Sequence, residues 1–158
     1  MEGMMDRVFG LSGLLVMPFW FLMVFLPRSR WTRRIMESPL VVVAPALLYT
    51  ALVLPVLREV FPIVNQPSLA AVAPLLGSPA GATIGWVHFL AFDLFVGRWV
   101  YLDSRDRDIS PWLMAPVLYL TLMLGPLGFS LYLAIRAIAA RWPRAVVTTA
   151  APRPAGEA

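Results

Sequence analysis

The chain has 158 residues, 59% of them hydrophobic and only 14% charged, with a net charge of +4 and a mean hydropathy of +0.75. A soluble domain carries roughly a quarter charged residues, so this composition excludes an ordinary globular surface and points to a single-domain integral membrane protein. With no cysteine and one histidine, the chain cannot by itself form a disulfide, a thiolate metal site or a multi-histidine metal site.

All 13 basic residues are arginines, and they gather at the ends of apolar runs. That arrangement reads as membrane anchoring, so nucleic acid is not an expected partner despite the pI near 10. The first run, "FGLSGLLVMPFWFLMVFL" (9–26), is long enough to span and is stopped by "PRSRWTRR". It lacks a small-x-small cleavage site, which predicts a retained helix rather than a signal peptide. The second run covers 40–57 and ends at Arg58 and Glu59.

Residues 58–82 hold four prolines around "LAAVAPLLG", which is apolar but too short to span. A partly re-entrant or interfacial segment is expected there. The third run spans about 84–102. The fourth, "WLMAPVLYLTLMLGPLGFSLYLAIRAIAA" (112–140), gives a helix over 112–136 with a kink at "GPLG" (125–128). Residues 141–158 are Pro/Ala-rich and expected to be a disordered tail.

None of these runs alternates as a barrel strand would. The expected fold is therefore all-α: an integral membrane bundle of four transmembrane helices over residues 1–140. Four full crossings would put six arginines of loops 27–39 and 103–111 on one side and five on the other. That near-tie leans toward both termini outside.

The third run, "GWVHFLAFDLFVGRWVYLDSRDRD" (85–108), carries the chemistry. Asp93 sits near its middle, where an aspartate costs about 2.5–3.5 kcal/mol to insert, so it must be protonated, paired or facing a cavity. His88 and Asp93 are five positions apart, about 140° around a helix axis, which does not assure a direct pair. Arg98 lies close enough to the end to snorkel or to pair with Asp93. Trp86 and Trp99 read as aromatic-belt residues, and Tyr49 and Tyr119 as bundle hydrogen-bonding groups, before any ligand role is assigned. Gly97 marks a close approach of a neighbouring helix. "LDSRDRD" (102–108) reads as a self-neutralising turn rather than a cation site. No phosphate loop, nucleophile elbow or paired zinc spacing is present.

The pattern His-x4-Asp-Leu-Phe-x-Gly-Arg-Trp (His88, Asp93, Leu94, Phe95, Gly97, Arg98, Trp99), followed by a proline-containing helix with "GPLG", resembles the abscisic-acid-deficient-four-like family. The resemblance extends from the first helix to about Ile135. It implies a small four-helix membrane protein with a carotenoid or xanthophyll-related role, the plant members being tied to neoxanthin formation from violaxanthin. No transit peptide precedes the first run, which fits a bacterial member in the inner (cytoplasmic or intracytoplasmic) membrane.

Opening an epoxide to an allenic alcohol needs one proton delivered to oxygen and one removed from carbon, with no redox cofactor or metal. His88 and Asp93 are the expected acid-base pair, with Arg98 as orienter and Trp86, Trp99, Tyr49 and Tyr119 as substrate-binding candidates. No cofactor is required; a bound carotenoid or lipid is the expected companion. The rival expectation is a non-enzymatic accessory or assembly subunit of a larger, pigment-containing membrane complex, with protein partners or a homo-oligomer. A small-solute permease is a thinner third reading.

Overall fold

The computed structural model describes residues 2–141; the tail expected over 141–158 lies, apart from Arg141, outside the described residues. Within them the chain is all-α, with no strand. Four helices are long and apolar enough to cross a membrane: α1 (Gly3–Phe25), α3 (Pro39–Asn65), α5 (Pro79–Asp106) and α6 (Pro111–Arg141). Two short helices complete the set, α2 (Arg30–Glu37) and α4 (Leu69–Gly77). A helix satisfies its own backbone inside hydrocarbon, so apolar runs of this length fold this way despite their prolines.

Serines set the starts of α2, α4 and α5. Ser29 accepts from the Trp31 N–H, Ser68 from Ala71 and Ser78 from Gly81, each removing an orphan amide at a helix start. Nine residues of α4 rise only about 14 Å, too short to cross. The element lies against the beginning of α5, where a Cβ on Gly81 would overlap the Leu75 carbonyl.

α5 is the axis on which the other helices pack. Phe9 of α1 stacks on Trp86 at 5.2 Å, and the Tyr101 hydroxyl donates to the Pro27 carbonyl at 3.0 Å, so α1 and α5 run parallel. Tyr49 lies against His88, and Arg98 donates to the Glu37 carbonyl just before α3, so α3 runs antiparallel to α5. The close approach expected at Gly97 is made by Trp20 of α1, which is 2% exposed and whose ring occupies the space a Cβ would need. Val16, Trp20, Met23, Leu94, Val100 and Tyr101 form the contact between these helices.

α6 is where the expected geometry changes most. Leu124 has φ −140° and ψ 44°, a break in the helix, and Pro126 follows with no N–H to restore the ladder. The chain turns back on itself there. Gly128 packs so closely on Thr121 that a Cβ would overlap Thr121's main chain, whereas residues seven apart on a straight helix lie about 10 Å apart. Leu113 and Ile138 wall one cavity, yet an unbroken helix would hold them about 37 Å apart. The fourth apolar run is a helical hairpin whose tip reaches Asp93 and whose two ends share one end of the bundle.

The four long helices are those expected; the break at Leu124 within the fourth regroups the arginines and removes the near-tie. Arg136 and Arg141 join Arg28, Arg30, Arg33 and Arg34 after α1 and Arg105 and Arg107 after α5, while Arg7 and Arg58 remain at the opposite end. By the positive-inside rule the arginine-rich end is the one expected to face the cytoplasmic side or its equivalent. The start of α1 and the end of α6 then lie on opposite sides. At this end Arg33 donates to Glu37 at 2.9 Å and to Asp106 at 2.8 Å, fastening α2 to the end of α5. Those hydrogen bonds, Glu37's first, raise the Arg33 pKa above its ordinary value.

Candidate functional site

The tip of the α6 hairpin and the outer face of α5 enclose an open groove of about 720 Å³. On the α5 side it is lined by Trp86, His88, Phe89, Phe92, Asp93 and Val96; on the hairpin side by residues 122–127 and Phe129. The helical register explains the α5 face. Residues 89, 92, 93 and 96 recur at three- and four-residue intervals and form one stripe, while Leu90, Leu94 and Gly97 turn inward.

Asp93 is half-buried at the hairpin tip. Its carboxylate fills the space beside Gly125, where any Cβ would collide with Oδ1. Among the described residues it enters no hydrogen bond or ion pair. The pairing with Arg98 envisaged from sequence is not made: Arg98 Nη2 donates to the main-chain carbonyl of Glu37 at 2.8 Å. That carbonyl ends α2, where a cation also meets the negative end of the helix dipole. Arg98 therefore anchors α2 and stands outside the groove.

His88 lines the same groove but is oriented by aromatics. Its ring stacks on Phe92 at 4.6 Å with a 21° tilt and meets Tyr49 at 5.3 Å. No side-chain hydrogen bond joins His88 to Asp93. The five-residue offset places them about 7.5 Å apart along the axis and about 140° apart around it, so both reach one ligand more readily than each other.

Of the residues singled out from sequence, the structure thus brings Trp86, His88 and Asp93 into one groove, with Tyr49 behind His88. Trp99 and Tyr119 lie elsewhere. Trp99 sits edge-on to Phe129 and Tyr132, each at 5.7 Å, with the Arg136 guanidinium 5.6 Å from its ring centre. Tyr119 is 56% exposed on the outer face of α6. Phe92, an expected lining residue for a polyene, proves to be also the histidine's stacking partner, whereas Gly125 as the carboxylate's neighbour carries no local signal in the sequence. "GPLG" signalled a kink, but nothing local says which residue faces it.

Among the described residues no three His, Cys, Asp or Glu side chains are placed to hold a metal ion. Asp103 and Asp106 are engaged by Arg107 and Arg33. What the groove offers is a long apolar trough, one imidazole and one carboxyl group.

The chain is 30% identical over 111 residues to "Protein ABA DEFICIENT 4, chloroplastic" from Arabidopsis thaliana, covering 66% of this chain and 50% of that protein. It spans about half the length of that relative. No solved structure matches it. The matched region of the family model, residues 7–132, takes in α1 through the groove and most of the hairpin, and on that match the chain belongs to the ABA4-like (ABA DEFICIENT 4-like) family.

Proposed function

We propose that this protein acts on a carotenoid or related polyene dissolved in the bilayer, as an acid-base isomerase whose working groups are Asp93 and His88. The observation that carries this reading is the carboxylate of Asp93, left without a partner at the wall of an open apolar groove of about 720 Å³. Keeping an unpaired acid at mid-depth costs free energy, and a structural role would have supplied a partner. Family membership supports a carotenoid-related substrate, and the walls formed by Phe89, Phe92 and Phe129 suit a flat, conjugated chain.

In the proposed step a C–H bond and an epoxide C–O bond break while an O–H bond and the second C=C bond of the allene form, with no net redox change, and the proton taken up by His88 is returned to Asp93 before the next turnover. Asp93, in its protonated form, donates the proton to oxygen. His88, held by Phe92 and Tyr49, accepts the proton lost from carbon. General acid-base groups of this kind contribute about 10²–10⁴ each. The host bilayer belongs to the same proposal: a bacterial inner membrane, although the relative is a chloroplast protein.

The test is expression in carotenoid-producing cells, comparing pigments from wild type, His88→Ala and Asp93→Asn. A new pigment made by wild type and lost in both variants is the expected result. Identical pigment profiles in all three would sink the enzymatic reading. The rival, an accessory subunit of a pigment-containing complex, predicts unchanged chemistry and co-purifying membrane proteins in mild detergent.

A further inference from the structure

At its far end from the arginines, the α5 wall of the groove stops at an aromatic pair. Trp86 precedes Asp93 by seven residues, so the two lie within about 20° around the axis and about 10 Å apart along it. Phe89 occupies the turn between them on the same face. All three line the groove. Trp86 is in turn backed by α1: the Phe9 ring stacks on the indole at 5.2 Å with a 29° tilt. A molecule lying along this face of α5 against the acid therefore meets, two turns on, an indole braced by a second helix.

Depth argues against an ordinary aromatic belt. Asp93 is at the middle of α5 (Pro79–Asp106), and belt residues sit at the headgroup level, about 15 Å from the bilayer centre. Trp86 is only about 10 Å from the acid, still within hydrocarbon, and keeps 42% of its surface exposed. Wall length is the second constraint. From Trp86 to Val96 the α5 side rises about 15 Å, whereas a carotenoid is about as long as the hydrocarbon is thick, about 30 Å. Lying along α5, such a molecule fits at one end only.

We propose that the Phe9–Trp86 stack is the specificity-determining end wall of the groove: it seats one cyclic end group of the polyene over Phe89, beside Asp93, while the remaining chain runs out into the lipid. This rests on the carotenoid reading of the groove and adds to it the shape of end group that is admitted. A ring offers its broad face to the indole and fills the span between Trp86 and Asp93. An acyclic end is thinner and leaves part of that span without contacts. The distal end, outside the groove, is not read. Phe9 is a positioning residue that acts through Trp86 and takes no part in the acid-base chemistry.

Full-length protein loaded with β-carotene or with its acyclic isomer lycopene tests this, the bound pigment being read from its visible absorption after washing in mild detergent. Neither hydrocarbon carries an epoxide, so retention is independent of conversion. Wild type is expected to retain β-carotene at least about tenfold better than lycopene, a ratio that a few apolar contacts can supply. Trp86→Ala should abolish the preference, Trp86→Phe should keep part of it, and Phe9→Leu, which leaves the indole without its support, should lower it. If Trp86→Ala fails to fold, Phe9→Leu decides. Equal retention of the two pigments by wild type, retention of neither, or an undiminished preference in the folded Ala and Leu variants each overturns the proposal. Pigment profiles in cells keep the two readings apart. Selective retention with identical profiles sinks the enzyme and spares the end wall; conversion by a protein without selectivity does the reverse.

Discussion

Two aspartates ten residues apart on α5 have opposite fates. Asp103, near the helix end, has one oxygen shared by Arg107, Tyr132 and Arg136. Asp93, at the hairpin tip, faces a glycine and an apolar groove with no partner among the described residues. Interface positions reach arginines and tyrosines easily, so the saturated acid is explained by architecture alone. The unsaturated one is placed where pairing was most needed and was not provided. Saturation therefore separates the acid that holds the fold from the acid to which the proposed function assigns its chemistry.

The hairpin is the premise of that contrast, and overturning it would have the largest effect. Because the sequence has no cysteine, single cysteines can be placed cleanly. Ser110→Cys and Ala140→Cys should react with an impermeant thiol reagent from one side of the membrane, and Gln66→Cys from the other. Labelling of position 140 together with 66 would make α6 a full crossing and remove Tyr132 and Arg136 from Asp103.

Next in size is Asp93→Asn. Pigment conversion should fall by about 10²–10⁴ while thermal stability in detergent stays close to wild type, since no partner is lost. A large drop in stability with conversion intact would reverse the roles of the two acids. Gly125→Ala should push on the Asp93 carboxylate. Relief of such a clash typically costs about 1–3 kcal/mol, read as lower stability together with impaired conversion.

On the saturated side, Asp103→Ala leaves two arginines facing each other. Denaturation of the detergent-solubilised protein should show a loss of about 2 kcal/mol, an intermediate figure because the pairs are partly exposed. Tyr132→Phe removes one donor and should cost about 1 kcal/mol. Neither change should alter the product formed. A changed product from Tyr132→Phe would extend the working site to the helix end and dissolve the distinction.

Much of this was legible in the sequence. Hydropathy alone locates the helices, and Asp93 stands out because nothing else charged lies so deep. Gly97 was rightly read as a close approach, although its neighbour is Trp20 rather than a second helix backbone beside Asp93. The fate of Arg98 was hidden because its acceptor is a main-chain carbonyl, which carries no residue-type signal. The hairpin was hidden for a related reason. A 29-residue apolar run has the same hydropathy whether it crosses once or folds at its middle, and Leu124 is an ordinary helix former whose dihedrals give no advance notice. The contacts of Asp103 followed the hairpin into obscurity: only Arg107, four residues on, is visible locally, whereas Tyr132 and Arg136 arrive through the fold. "LDSRDRD" consequently looked like a solvated turn.

The doubled-back α6 also bears on how the protein is made. A segment that enters to mid-depth and leaves by the same face never carries Arg136 and Arg141 through the hydrocarbon, sparing a transfer that costs about 2.5–3.5 kcal/mol per arginine at the bilayer centre on insertion scales. Assembly of the bundle would then require only a lateral docking of two short arms onto the frame of the other three long helices.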